Sequence, residues 1–455
     1  MPKRLINKIK HLLSANHGAL TRREIPRDKH HFQEEDIGRN VLMVLDGLTK
    51  AGYEAYLVGG SVRDGLIGLH PKDFDVATSA HPEDIKRVFQ RNCRLIGRRF
   101  RLAHVRFGRE IIEVATFRAN HSKADEEDEH LSAQSEHGML LRDNVFGSLD
   151  EDAERRDFTA NALYYRHTDG AIIDFVSGYE DIQNRTLRLI GDPEQRYRED
   201  PVRMLRAVRF ASKLDFEIEP ATAAPIRSLA DLLELIPPAR LFEEVLKLFL
   251  GGSAQTVWPL MLKYDLAQWL FPLSTPEVNH AQGMQAMIDL ALRNTDVRLA
   301  QNKPVTPAFL FAVLLWGPLQ LEWSKIIESG LHPVPALQKA IQRVTSKQAQ
   351  HTSIPKRFGL PMREIWELQS RLSSRTIKRC QSLVQHPRFR AAYDLLLLRE
   401  EAGEIEAGLG QWWTDYQKAS ESERTKMCEA LSGTHKPRRK RRYKSRRNPN
   451  TPGNT

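Results

Sequence analysis

LVGGSVRDGLIGLHPKDFDVAT, residues 57 to 78, sets a Gly-rich turn a short distance ahead of two aspartates separated by one residue. Leu57 and Val58 read as the end of a strand, and Gly59, Gly60 and Ser61 as a turn in which two successive residues lack a Cβ. An anion can approach backbone N–H groups closely there. Val62 to Leu66 reads as the first turn of a helix, whose unpaired N–H groups add positive potential at the same point. Phosphate suits such a turn. In the following strand the spacing of Asp73 and Asp75 predicts that both side chains project from one face, with Phe74 and Val76 on the other. Carboxylates that close raise one another's pKa unless a cation lies between them. Mg²⁺ fits, because it takes oxygen ligands and is commonly held by one or two carboxylates plus substrate phosphates. A lone Asp-x-Asp is more often a turn or a solvated edge, and a lone Gly-Gly is usually only a turn. In the order strand, Gly turn, helix, acidic strand, the two support each other. The absence of G-x-x-x-x-G-K-[ST] and of G-x-G-x-x-G argues against a P-loop and a dinucleotide fold.

Working outward, residues 37–52 carry a helical stripe at Val41, Leu42, Leu45 and Leu48 that ends at Gly52. Strands at 54–58 and 73–78 are followed by a helix at 82–90 and strand patterns at 93–96, 102–107 and 111–116. The prediction is a small mixed sheet with helices on one side. Residues 119–148, with the acidic run Asp125, Glu126, Glu127, Asp128, Glu129, lack a sustained period and are expected as a mobile loop. From Asp192 onward strand signals nearly vanish. Helical patterns such as 200–214, 240–250, 256–264 and 362–373 dominate, punctuated by Pro237-Pro238, Pro333 to Pro335 and Pro355. The expected class is α+β. Its divisions are an N-terminal extension at 1–36, a mixed-sheet head at 37–191, a helical neck at 192–255, a helical body at 256–430 and a disordered basic tail at 431–455.

A chain of 455 residues has room for two or three domains, and 41% hydrophobic with 28% charged residues is ordinary for a soluble globular protein. The basic excess is concentrated. Lys436, Arg438, Arg439, Lys440, Arg441, Arg442, Lys444, Arg446 and Arg447 have no acid after them; taking those nine from the net charge of +10 leaves about +1 for everything else. A block of like charge repels itself and is available to a polyanion: RNA, DNA, an anionic membrane or an acidic protein. Cys93, Cys380 and Cys428 are odd in number, far apart and without metal-ligand spacing, so the reducing cytoplasm is the simplest setting. No apolar run is long enough to span a membrane. At the N-terminus Leu5, Ile6, Ile9, Leu12 and Leu13 share a helical face, which would rest on a membrane surface or pack on its own protein; Lys8 and Lys10 interrupt any signal-peptide core.

Three further places carry chemistry. Glu113 lies in IIEVATF, whose neighbours predict burial; it would complete a metal cage or pair with Arg118 or a similar base. Arg155 and Arg156 offer forked donors suited to phosphate, while Asp157 and Asn161 are spaced by one helical turn, which alone reads equally as a capped helix start. In EDPVRMLR, residues 199–206, Pro201 suits a first helical turn with Asp200 as N-cap. Asp200 and Arg203 share a face, however, and an acceptor beside a donor fork can read the edge of a base.

Taken in order, LVGGSVRD, KDFDVAT, IIEVATFR, RRDFTANALYY and YREDPVRMLRAVRF resemble the nucleotidyltransferase class that contains the bacterial poly(A) polymerases and the CCA-adding tRNA enzymes. Within it CRLIGRRFRLAHVRFG (93–108), PPARLFEEVLKLF (237–249), the segment around SIPKRFGLP (353–361) and the basic tail are more similar to the bacterial poly(A) polymerases. The strong likeness covers about 50 to 250, with a looser one to the end. The resemblance implies a nucleotidyltransferase-like head in which Asp73 and Asp75 hold two Mg²⁺ ions, with Glu113 as third acid. It implies that Gly59, Gly60, Ser61 and Arg63 face the triphosphate of ATP. Arg155, Arg156, Asp157 and Asn161 belong to the motif that holds the incoming nucleotide, Asp157 counting with the catalytic acids. Asp200 and Arg203, with Glu199 in support and Arg206 beside them, would read the base in place of a template. The implied partners are RNA 3′ ends, gripped in part by Arg438, Arg439, Lys440, Arg441, Arg442, Lys444, Arg446 and Arg447, and RNA-decay proteins. The implied reaction is template-independent addition of AMP from ATP to RNA 3′ ends, a tail that promotes decay, by two-metal in-line attack of the primer 3′-OH on the α-phosphate. CCA addition to tRNA is the same-fold rival, disfavoured by the polycationic tail. A non-catalytic RNA-binding adaptor is the rival of another class, disfavoured because every charged motif position is intact.

Overall fold

The structure is a computed structural model that describes residues 21–71, 73–97, 101–119, 132–134, 140–143, 145–276, 280–281 and 283–432. The stripe at Leu5 to Leu13, the acidic run 125–129 and the basic tail 436–447 lie outside the described residues. The chain divides into two compact units: Met1–Val278, Leu292–Val305 and Thr345–Ile354 form one, and Asn279–Ala291, Thr306–Val344 and Pro355–Thr455 form the other.

Twelve strands are described: β1 (Arg23–Ile25), β2 (Ala55–Val58), β3 (Asp75–Thr78), β4 (Cys93–Ile96), β5 (Leu102–Phe107), β6 (Glu110–Thr116), β7 (Ser132–Gln134), β8 (Leu140–Asp143), β9 (Leu163–Arg166), β10 (Ala171–Asp174), β11 (Thr186–Leu187) and β12 (Glu217–Ile218). Eight of them form the sheet of the first unit, in the order β1-β10-β9-β2-β3-β6-β5-β4. Within that sheet β3 and β6 run parallel and the other neighbours antiparallel. The parallel pair is bridged by the helix Pro82–Phe89 and the β4–β5 pair, as a parallel neighbour requires a crossover. Both faces of the centre are covered, so β2 and β10 are buried at every position rather than alternating. Tyr56, Val58, Ala77, Phe117, Tyr164 and Ile173 pack together on one side with Leu149 and Ala153. The predicted helix before β2 is present as Arg39–Lys50, and Val41, Val44, Leu45 and Leu48 are its buried stripe.

Four expectations change. The sheet is larger than predicted, because the segment assigned to an N-terminal extension supplies β1 and the buried Phe32. Phe32 lies where a Cβ on Gly65 would stand 2.2 Å from its ring, so Gly65 makes room for that ring. The region 119–148, expected as a loop, contains the antiparallel pair β7–β8. DFTAN does not start an α-helix. Thr159–Asn161 is a single 3₁₀ turn leading into β9, because Leu163, Tyr164 and Tyr165 are β-formers that fill the middle of the sheet. Finally, β3 begins at Asp75, so Asp73 precedes the strand and the alternation argument does not apply to it.

From Pro193 the described chain is helical apart from β12, as predicted. The helices Pro193–Glu199, Val202–Leu214 and Pro238–Phe249 belong to the first unit. In the second unit Leu368, Leu372, Cys380, Leu383, Phe389, Tyr393, Leu396, Trp413 and Tyr416 form one apolar core. The Arg399–Glu404 ion pair, at 2.9 Å and almost fully buried, is satisfied further by Trp316 Nε1 donating to Glu404. Among the described residues no helix is long and apolar enough to cross a membrane.

Candidate active site

Gly59 follows β2 with φ 78° and ψ −133°, a conformation open to glycine, and the helix Gly60–Leu66 starts immediately after it. A Cβ on Gly59 would stand 3.8 Å from Arg156 Nη1 and 4.0 Å from Asp75 Oδ2. The turn, an acid and a guanidinium therefore meet at one point. Asp75 is opposite Val58 across the antiparallel ladder and opposite Glu113 across the parallel one. The surrounding protein raises the Asp75 pKa by desolvation, Glu113 and Asp73 raise it further, and Arg156 opposes them. Asp73 thus acts on Asp75 although it lies outside the strand.

Glu113 departs from its predicted burial. Along β6 Ile112, Val114 and Thr116 point into the core, which turns Glu113 to the open face with 51% of its side chain exposed. Its basic neighbour is His104 rather than Arg118: Nε2 lies 3.3 Å from Glu113 Oε1. Among the described residues no group of three His, Cys, Asp or Glu side chains is arranged to hold a metal. The acids nevertheless fit Mg²⁺. Asp75 and Glu113 are in register on adjacent strands, both offer oxygen, and the like charge that raises Asp75 is what a cation relieves. Substrate phosphates would supply the remaining ligands.

Arg63 turns inward. It is buried, donates from Nη1 to Asn161 and from Nε to Asp64 at 2.8 Å, and stands over the Phe210 ring. Asn161 donates in turn to Asp157 at 3.1 Å, and Asp157 also accepts from the Phe158 N–H at 2.8 Å and from Arg206 Nε at 2.7 Å. Burial alone would raise the Asp157 carboxyl; Arg206 and these hydrogen bonds outweigh it and hold the group well below the usual carboxylate range. Asp157 is therefore the anchor between the glycine turn and the helix Val202–Leu214. The charges that bear on Asp75 are Glu113, Arg156 and Asp73, and Asp157 is not one of them.

Arg156 is braced from behind. Nε donates to Asp152 and to Tyr164 at 3.1 and 3.0 Å, which leaves Nη1 toward Gly59. Arg155 is half-buried, and its pKa is pushed down to about 9 by desolvation and by the charges of Arg118, Arg156, Arg196 and Arg203. Arg196 Nη2 donates to the carbonyls of Arg155 and Arg156 at 2.6 and 2.7 Å, which ties the helix Pro193–Glu199 to this motif. Asp200 and Arg203, expected to read a base with Glu199 in support, are each held by a different protein partner. Arg203 Nη1 donates to Glu199 at 3.0 Å, and Asp200 accepts from Arg240 Nη2 at 2.8 Å. Asp200 also accepts from the Val202 N–H at 3.3 Å, a local capping contact. Sequence reasoning missed His104, Arg196 and Arg240. Arg240 had a signal, sitting in the first turn of the helix announced by Pro237-Pro238, whereas His104 becomes visible only through strand register.

Residues 55–188 match the family described as Poly A polymerase head domain, 215–278 that of the probable RNA and SrmB-binding site of polymerase A, and 329–448 that of the polymerase A arginine-rich C-terminus. The chain is 50% identical over 435 residues to poly(A) polymerase I of Salmonella typhimurium, covering 94% of this chain and 93% of that protein. The chain belongs to the poly(A) polymerase I family. A CCA-adding enzyme of Lactobacillus helveticus is 38% identical over 233 residues, 51% of this chain and 55% of that protein. The crystal structure of the Bacillus stearothermophilus CCA-adding enzyme in complex with CTP superposes with a TM-score of 0.57 at 26% identity, covering 86% of this chain and 82% of that one. Poly(A) polymerase I and the CCA-adding enzymes thus share the fold. The curated poly(A) polymerase match runs almost the whole chain, while the curated CCA-adding match stops near half.

Proposed function

We infer that the chain is a template-independent polynucleotide adenylyltransferase that joins AMP from ATP to RNA 3′ ends. The observation that carries this is the continuous match to poly(A) polymerase I through head, RNA-binding segment and arginine-rich C-terminus. In the reaction the primer 3′ oxygen forms a bond to the α-phosphorus, the bond to the bridging oxygen breaks, pyrophosphate leaves, and the hydroxyl proton is lost. Asp75 and Glu113, with Asp73 beside them, are proposed to hold two Mg²⁺ ions. Bound there, Mg²⁺ supplies charge stabilisation for the attacking and leaving oxygens of an in-line displacement. The chain's own part is positioning and electrostatics. Arg156, braced by Asp152 and Tyr164, presents an edge beside Gly59 to a phosphate. Arg118, Arg156, Arg196 and Arg203 surround Arg155 with positive charge, which adds to desolvation in pushing it down, and a triphosphate would relieve that charge. Glu199, Asp200, Arg203 and Arg240 form the base-reading cluster, with Asp200 oriented by Arg240. Arg63, Asn161, Asp157 and Arg206 act one layer back, holding the turn against the helix. The cytoplasm is the proposed setting, in keeping with three buried free cysteines.

The test offers ATP, CTP or both to the purified protein with two labelled RNAs, one a tRNA lacking CCA and one unstructured. Long homopolymeric A extension of both supports the reading. Addition limited to a few nucleotides on the tRNA supports CCA addition instead.

A further inference from the structure

We propose that His104 is a positioning residue that orients the Glu113 carboxylate toward the divalent cation, a proposal that rests on the reading of Asp75 and Glu113 as its ligands. The sheet itself makes the arrangement. The antiparallel β5–β6 ladder sets His104 opposite Glu113, and the parallel β3–β6 ladder sets Asp75 opposite the same residue. His104, Glu113 and Asp75 therefore form one row across three neighbouring strands, a spacing at which cross-strand side chains meet. On β5 Ala103 and Val105 are buried in the core, so the imidazole between them stands on the open face with Glu113.

Three observations mark His104 as more than a filler of that face. Its Nε2 is 3.3 Å from Glu113 Oε1. That nitrogen is buried and makes no hydrogen bond, so the Glu113 carboxylate, in contact but not aligned, is the acceptor that a small rotation would bring to it. Glu113, by contrast, is half exposed on a long side chain with several rotamers to choose among. An imidazole that is three-quarters buried beside a half-exposed carboxylate reduces that choice. Carboxylates that hold metals are commonly hydrogen-bonded in turn by a neighbour that fixes their orientation, and losing the neighbour weakens metal binding. On its other side His104 faces Arg94 of β4.

The experiment measures Mn²⁺ binding to the full chain without nucleotide or RNA, by the paramagnetic resonance signal of free Mn²⁺, together with thermal melting. The variants are His104→Leu, of similar bulk without a donor, His104→Gln, which keeps an N–H donor, and Glu113→Gln. His104→Leu is expected to weaken Mn²⁺ binding about 10- to 100-fold with melting preserved, and His104→Gln to recover most of it. If Glu113→Gln weakens binding while His104→Leu binds as wild type does, the positioning role falls and the ligand reading stands. Tighter binding in His104→Leu also overturns it, because the imidazole would then compete with the metal. If Glu113→Gln leaves binding unchanged, the ligand reading fails and the proposal with it. Should His104→Leu not melt cooperatively, His104→Gln decides alone: binding weakened as far as in Glu113→Gln sinks the idea, and near-wild-type binding supports it.

Discussion

Asp157 and Asp75 are carboxylates in one site with opposite surroundings, and the contrast separates holding from chemistry. Asp157 is saturated by Arg206, Asn161 and the Phe158 N–H. Because its folded pKa is depressed, its stabilisation is fully present above the unfolded value near ~3.9 and is lost as pH falls through the folded one. Asp157→Asn is thus expected to melt well below wild type at neutral pH, with the gap closing toward about pH 2. Melting curves across that range check it, and a gap independent of pH would show that shape rather than charge matters. Asp75 instead faces Glu113 and Asp73, and its charge lacks a saturating partner of that kind. Asp75→Ala should lower turnover by about 10³-fold or more with little change in RNA affinity, because what it loses is charge stabilisation in the transition state. Turnover within tenfold of wild type would remove Asp75 from the mechanism. Arg155 yields a third expectation. Desolvation and four neighbouring guanidiniums push its pKa down to about 9; because a bound polyanion offsets the guanidinium part, inorganic triphosphate alone should raise the melting temperature, and Arg155→Met should reduce that rise.

At the scale of elements, the turn and the strands around residues 57–78 and 93–116 were legible in the sequence because local pattern and tertiary demand agree there. Gly59 has the positive φ that the turn reading required, and β2, β3, β4, β5 and β6 fall within two residues of their predicted bounds. What failed depended on partners distant in sequence. β9 hides in RRDFTANALYY because the spacing of Asp157 and Asn161 imitates a helix, although their contact is real and is made across a 3₁₀ turn. β1 is three residues long and exists only by pairing with β10. In the site, residue types were legible and protein partners only in part: Glu199 beside Arg203 was named in advance, while Arg240 as the partner of Asp200 was not. A prediction lives on this element. Arg240→Ala frees Asp200 to rotate, so preference for ATP over CTP should fall by about 1–3 kcal/mol, the range for one bidentate base contact. Competition between the two nucleotides measures it, and an unchanged ratio would leave Arg240 as a helix-start ion pair only.

Across the whole molecule charge is divided very unevenly, with nine of the basic residues between Lys436 and Arg447 and about +1 for everything else. The described part already offers a positive locus, the arginines around Arg155, but that locus belongs to the nucleotide reading and is partly buried. A near-neutral body that must hold a long polyanion has little long-range attraction of its own, and a block of like charge supplies it without needing a fixed shape. Removing residues 436–455 should therefore leave melting and turnover on short, saturating RNA nearly unchanged. Affinity for long RNA should fall and lose much of its dependence on salt, since each neutralised phosphate contributes about −0.7 to the single-strand slope of log K against log salt. Titrations of one long RNA at several salt concentrations, with the full and the shortened chain, measure both slopes. Equal slopes would mean that the tail does not touch RNA and that the body alone grips it.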